Sequence, residues 1–211
     1  ELVSKAVDDK IKQVLFLYLV VCLGLLHALS KQTLTLTRCD RLRLGGQEDT
    51  AGIIRVQGLA WREAYSDLLP KEIIQEQTVE PSKEEIEQWH DWLLDNQDGI
   101  LVAVNDKGTV RGFADFRWGD TETKEFVNDN EAGLKAIYVH PDYWGEGIGT
   151  LLLERGIEGL PDDVDAIHLE MLSENEVGHQ FYQARGFERT DTTTHEIGGT
   201  QYPTDIYTLR I

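Results

Sequence analysis

Basic residues are scarce in this chain. Twenty lysines and arginines stand against 38 aspartates and glutamates in 211 residues, a formal net charge of −18. A nucleic-acid surface needs a basic stripe, so that class of partner is excluded. Cysteine is scarcer: Cys22 and Cys39 are the only two, and their spacing suits neither a disulfide framework nor a metal site. The six histidines are scattered with no pair at ligand spacing, which argues against a metal enzyme. No internal repeat is present. The acids are spread along the chain rather than gathered in a tail. They fit an ordinary soluble acidic protein, or one adapted to a salty cytoplasm, where carboxylates stay hydrated and salt screens their repulsion. The salt-adapted, cytoplasmic reading is the one adopted. The hydrophobic share of 41% is enough for a proper core, and the length fits one domain with an appendage.

That appendage is residues 1–36, with only three acids and four lysines, so nearly all the negative charge falls on 37–211. Inside it runs "VLFLYLVVCLGLLHALS", residues 14–30, 17 positions without a charge. This is the lower edge of a membrane-spanning length. A membrane anchor, an uncleaved signal-like segment, a helix packed on the body or on a partner subunit, and upstream sequence outside the functional protein all remain open. Membrane contact is expected only through 14–30.

From about Arg38 the pattern is that of a mixed α/β domain. "DRLRLGG" reads as a short strand. Residues 49–68 read as a helix with Ile53, Val56, Ala60, Ala64 and Leu68 on one face, ahead of Pro70. Ser82 and Glu85 form a capping box opening a helix through Ile86, Trp89 and Leu93. "GILVAVNDKGTVRGFADFRW" is a hairpin turning at Asn105–Gly108. After a polar loop, 119–130, "GLKAIYVHP" is a strand stopped by Pro141. A helix follows to about Leu160, then a strand in "VDAIHLEML". Next comes a helix with a capping box at Ser173 and Glu176 and a stop at Gly186. Two strands around Gly198-Gly199 close the chain.

Between the 134–139 strand and its following helix lies "YWGEGIGT", residues 143–150. Glycines let backbone turn tightly and approach a ligand. The helix N-terminus beyond offers N–H groups with partial positive charge, so the junction can hold an anion. It lacks the spacing and lysine of a P-loop, and G-x-G-x-G is not the dinucleotide fingerprint. A tight turn without a ligand is the equal alternative on the loop alone.

Two longer stretches decide the matter. "AIYVHPDYWGEGIGTLLLE" is similar to the acetyl-CoA motif Q/R-x-x-G-x-G/A of the GNAT superfamily of N-acetyltransferases, and "HLEMLSENEVGHQFYQARGF" resembles that superfamily's L-E-V-x-x-x-N-x-x-A-x-x-L-Y-x-x-x-G-F. The resemblance covers about residues 40–211. It implies an α/β (α+β) fold with a mixed, mostly antiparallel central sheet, flanked by helices and splayed between the fourth and fifth strands. It implies acetyl-CoA as cosubstrate, a primary-amine acceptor, no metal and no covalent enzyme intermediate. The cofactor pyrophosphate would lie on backbone N–H groups of Gly145, Glu146, Gly147, Ile148, Gly149 and Thr150. The pantetheine arm would pair with Ile137, Tyr138 and Val139, and Asn175 would contact it. Tyr182 matches the tyrosine that protonates the leaving thiolate. Glu170 stands at the glutamate of L-E-V, which the ribosomal-protein N-terminal acetyltransferases of this superfamily are proposed to use as base through water.

Each assignment has a structural counterpart. Glu170 as a solvated or ion-paired strand carboxylate, Tyr182 as core and Asn175 as a helix cap are the alternatives. Glu131 is the rival base, although the family's strand glutamate falls nearest Gly133. His140 and His168 read as structural. Trp61, Tyr65, Trp89 and Trp118 are core or rim aromatics, some of which would line the acceptor pocket. Two departures stand out. Trp144 replaces the usual Gln or Arg, and Glu146 puts a carboxylate in the phosphate loop, for which Arg155 or Arg185 would compensate. A non-catalytic acyl-CoA sensor is the alternative function, and a homodimer is left open.

Overall fold

The computed structural model describes residues 41–119, 121 and 123–211, within a unit spanning Cys39–Ile211. The appendage and its apolar 14–30 segment lie outside the described residues. Among the described residues no helix is long and apolar enough to cross a membrane.

The hairpin supplies the second and third strands of the sheet. β2 (Ile100–Val104) and β3 (Val110–Arg117) pair antiparallel, and Asn105 Oδ1 accepts the turn N–H groups of Lys107 and Thr109 at 3.0 and 2.8 Å. Every residue of β2 is buried. Its unbroken apolar run has that cause, since helices cover both faces. β1 (Arg41–Leu44) joins one side, and β4 (Glu131–Val139) the other. β5 (Ala166–Leu172) lies parallel to β4, then β7 (Thr200–Arg210) and the edge strand β6 (Glu188–Ile197) follow antiparallel. The seven-stranded order is β1-β2-β3-β4-β5-β7-β6, a mostly antiparallel sheet as expected. β6 is exposed almost throughout, and its threonines and charges suit an edge.

α1 (Thr50–Ala64) and α3 (Lys83–Asp95) bury Ile53, Val56 and Leu93 on Ile100, Val102 and Phe113. The capping box of α3 is present in both bonds: Glu85 N–H donates to Ser82 Oγ at 3.2 Å, and Ser82 N–H to Glu85 Oε2 at 2.8 Å. α1 ends before the predicted Leu68. The chain instead turns Tyr65 and Leu69 into a cluster with Leu172, and Pro70 opens the short α2 (Lys71–Glu76). α4 (Ile148–Glu158) and α5 (Glu176–Gln183) cover the opposite face with Leu152, Leu153 and Tyr182. The predicted Ser173 cap of α5 is replaced. Ser173 Oγ donates to buried Asp205 at 2.9 Å, and Asn175 Oδ1 accepts the Gly178 N–H at 3.0 Å. The carboxylate on β7, remote in sequence, outcompetes the local capping bond.

Two features of β4 shape the gap beside it. Asp115 pairs with Ala136 but Phe116 with Leu134, so Lys135 is the extra residue of a β-bulge in the β3–β4 ladder. Plain alternation would put Leu134 and Tyr138 on one face. The extra residue moves Ile137 and Val139 to the α4 face with Leu134, and turns Ala136 and Tyr138 toward α1. Second, β4 pairs with β5 over only three positions, ending at Gly133 and His168. Beyond these the strands part, at the expected junction of the fourth and fifth.

α4 lies close enough to β3 that a methyl group at Gly156 would meet the Phe116 ring at 2.0 Å, and Phe116 is fully packed. Gly156→Ala is therefore expected to destabilise the domain by about 1–3 kcal/mol through overpacking. Thermal denaturation checks this, and an unchanged midpoint would mean that α4 is free to shift.

Candidate active site

The parting strands leave backbone on offer. His140 N–H donates to Arg111 O at 2.8 Å, which fixes the alternation along β4. Tyr138 then directs its N–H and C=O to β3, whereas those of Ile137 and Val139 face the opening. Tyr138 thus brings its side chain, not its backbone, to the site. The Val139 carbonyl accepts from Trp144 Nε1 at 2.6 Å, so the residue that departs from the family pattern is tied to the strand edge. His140 Nδ1 accepts the Asp142 N–H at 3.2 Å and shapes the turn after β4, a structural role.

That turn delivers the glycine loop. Gly145 and Gly147 have φ of 75° and 85°, a region that costs other residues strain. Gly147 is the N-cap of α4, and no side chain caps the helix. The first-turn amides of Ile148, Gly149 and Thr150 therefore lack intrahelical acceptors and share the positive end of the dipole. Glu146 N–H is engaged by Tyr143 O at 3.3 Å. Arg155 pairs with Glu158, away from the loop, at 3.0 Å. Arg185 instead reaches the loop: it donates to Thr150 Oγ1 and to Phe181 O, and its guanidinium lies 3.7 Å from the Phe181 ring centroid.

On the α1 side of the opening lies a cleft of about 240 Å³. Trp61, Tyr65, Tyr138, Phe126 and Val127 line it together with Glu170 and His195, and Trp61 Nε1 donates to Tyr138 Oη at 3.2 Å. Glu170 is held by Lys124 Nζ at 3.2 Å and by His195 Nδ1 at 3.6 Å. The rival carboxylate, Glu131, lies where the strands are still paired. His168 Nε2 is 3.0 Å from it, and Asn128 donates through its backbone and side-chain N–H groups at 2.9 and 2.7 Å. Burial pushes the Glu131 carboxyl up, but these donors outweigh it and hold the group below the usual range. His168 Nδ1 lies 3.0 Å from Thr208 Oγ1, so its ring is fixed as a strut at both ends.

A strand edge, a glycine loop at an uncapped helix and a cleft on the opposite face are now placed around one gap. A family model described as the acetyltransferase (GNAT) family matches residues 60–187, across all three features. The chain belongs to the GNAT acetyltransferase family. It is 28% identical over 154 residues to the uncharacterized N-acetyltransferase YuaI of Bacillus subtilis, covering 73% of this chain and 83% of that one. It is 30% identical over 122 residues to an uncharacterized N-acetyltransferase of Archaeoglobus fulgidus, covering 56% and 76%. In structure it resembles the PaiA N-acetyltransferase of Thermoplasma acidophilum in complex with coenzyme A. The TM-score is 0.58 at 26% identity, with 78% of this chain and 96% of that one covered.

In this acetyltransferase the sequence-derived residues fall into distinct settings. Ile137, Val139 and the loop from Gly145 to Thr150 border one side of the gap. Asn175 caps α5 and also donates to Tyr65 Oη at 3.4 Å. Tyr182 packs against Phe181, Phe187 and Tyr207, with ring centroids 5.1, 5.4 and 6.4 Å away. Of the four aromatics considered, Trp61 and Tyr65 line the cleft, while Trp89 and Trp118 pack on the core. Lys124 and His195 escaped the sequence reading. They come from a polar loop and an edge strand, and no local pattern marks either.

Burial pushes the phenols of Tyr65, Tyr138 and Tyr182 above the ordinary tyrosine range, and for Tyr138 and Tyr182 neighbouring phenols add to the rise. The folded state thus keeps protons that the unfolded chain loses above about pH 10. Stability is full below that pH and falls as pH rises beyond it. Absorbance titration should find the ionisation of Tyr65, Tyr138 and Tyr182 displaced above the ordinary tyrosine range. Ionisation of all seven tyrosines within that range in the folded protein would contradict this.

Proposed function

We propose that the protein transfers the acetyl group of acetyl-CoA to a primary amine by direct attack on the thioester. The observation that carries this reading is the gap: an open β4 edge runs into a glycine loop and an uncapped helix, with a cleft on the other face. Ile137 and Val139 would pair with the pantetheine arm, as an added strand does. The amides from Gly147 to Thr150 would hold the pyrophosphate, with Arg185 beside them. The amine would enter from the cleft.

In the reaction the acceptor nitrogen gives a proton to Glu170, directly or through water, and its freed lone pair attacks the thioester carbonyl carbon. The C–S bond breaks as the C–N bond forms. The leaving thiolate takes the Tyr182 proton and the second proton shed by nitrogen restores the phenol, giving CoA thiol and an N-acetyl amide. Burial keeps Tyr182 in its protonated, donor form and raises the cost of giving that proton up. Lys124 and His195 hold the Glu170 carboxylate in place at 3.2 and 3.6 Å.

Calorimetric titration with acetyl-CoA at low and at molar KCl tests the cofactor site. Saturable binding is expected, stronger at high salt because screening relieves repulsion between the cofactor phosphates and a chain of net charge −18. No binding at either salt overturns the reading. Arg185→Ala should raise the acetyl-CoA Kd by about tenfold, the scale of a hydrogen bond to a charged group. Glu170→Gln and Tyr182→Phe should each lower kcat by about a hundredfold or more with cofactor binding retained. An unchanged kcat removes that residue from the mechanism.

A further inference from the structure

The cleft differs from the rest of the molecule in charge. Acids outnumber bases 38 to 20 in the chain, yet the described residues lining the cleft include two lysines and two histidines against one carboxylate, Glu170, which pairs with Lys124 and His195 while His168 is taken by Glu131. Its volume of about 240 Å³ lies below the usual range for drug-sized ligands, about 300–1,000 Å³. Trp61, Tyr65 and Phe126 give it apolar walls. Its lining holds an ion pair between distant parts of the chain, Lys124 with Glu170 at 3.2 Å, and His195 flanks the same carboxylate oxygen. The lysine side chain is 46% exposed and the glutamate 18%. Partly exposed pairs of this kind are weak, and a ligand with the same two charges exchanges for them at little cost.

We infer that the acceptor is a small zwitterion, an amino-acid-like molecule with its amine and an anionic group on one apolar body. This rests on the acetyltransferase reading. The ammonium takes the place of Lys124 at Glu170, and the anionic group takes the place of Glu170 beside Lys124 and His195. A diamine would set its second ammonium against Lys124, and a neutral body would leave Lys124 displaced and without its carboxylate. The chemistry then runs in register with the charges. The ammonium passes one proton to Glu170, nitrogen attacks the thioester carbon, the C–S bond breaks as the thiolate takes the Tyr182 proton, and the second proton that nitrogen sheds in becoming an amide restores the phenol. The amide product has no positive charge left for Glu170. Once Glu170 has passed its proton to water, Lys124 returns to it and displaces the product.

The test is steady-state acetylation, by the purified full chain, of the common amino acids and γ-aminobutyrate beside their decarboxylated or monoamine analogues, phenethylamine and butylamine, and the diamine putrescine. At least one zwitterion should exceed its matched amine in kcat/KM by about tenfold or more, the scale of a charged hydrogen bond. Lys124→Met should collapse that ratio toward one through the acceptor KM, and Lys124→Arg should keep it. Equal or better turnover of the amines or of putrescine overturns the zwitterion inference and leaves the acetyltransferase standing. So does a Lys124→Met variant that slows all acceptors alike. Saturable acetyl-CoA binding with no transfer to any member overturns both.

Discussion

The structure turns on a strand edge that β-sheet geometry leaves open. β4 and β5 run parallel and pair over three positions, while β4 stays fully engaged with β3 on its other side. Backbone N–H and C=O groups inside a domain do not remain unpaired without cost. An open stretch between two central strands is therefore either a defect or a binding edge. The bulge at Lys135 argues for the second. It sits where the strands begin to part, and its extra residue changes which side chains face α4 and which face α1. One irregularity sends Val139 toward the glycine loop and Tyr138 toward the cleft. Each face of the gap thereby gains its own lining, and two reactants can reach one point from opposite sides of a sheet.

Electrostatics pull in different directions across the same gap. The chain as a whole repels anions, and Glu146 stands inside the loop that should hold one. The opposing elements are local: two positive-φ glycines, an uncapped helix and Arg185, whose guanidinium is oriented by Phe181 and Thr150. Distance favours the local set. Charges beyond about 8–10 Å are screened at ordinary ionic strength, whereas helix amides and Arg185 act within one turn of the loop. The cleft repeats this pattern, with Lys124 and His195 set against Glu170.

What could be read from sequence was what short segments decide for themselves. The hairpin at Asn105–Gly108, the Ser82–Glu85 capping box and the glycine loop each depend on a few adjacent residues and were legible. The bulge was not, because Lys135 becomes supernumerary only when β3 is laid beside β4. The Asn175 cap was legible only as an alternative. Ser173 was the better local candidate until Asp205, delivered by β7, claimed its hydroxyl. In the candidate site, Glu170 and Tyr182 were visible through motif spacing, but Lys124 and His195 depend on tertiary folding. The end of α1 was missed for a similar reason, since Tyr65 and Leu69 gain more by packing on Leu172 than by continuing the helix.

Trp144 shows how one departure from a family pattern can arise from the same constraint. A Gln or Arg at this position offers polar donors on a flexible arm. Tryptophan offers a single N–H on a large rigid ring. Here that N–H meets the Val139 carbonyl, one of the groups that the bulge turns toward the gap. The bond joins the end of β4 to the start of the glycine loop, across the turn that Pro141 and His140 shape. It satisfies an exposed strand acceptor and anchors the loop by a hydrogen bond from a side chain that itself stays exposed. The substitution therefore exchanges a polar contact toward ligand for rigidity between strand edge and helix N-terminus. A binding edge and an anion loop can act on one molecule only if their spacing is held, and Trp144 is the side chain that spans them.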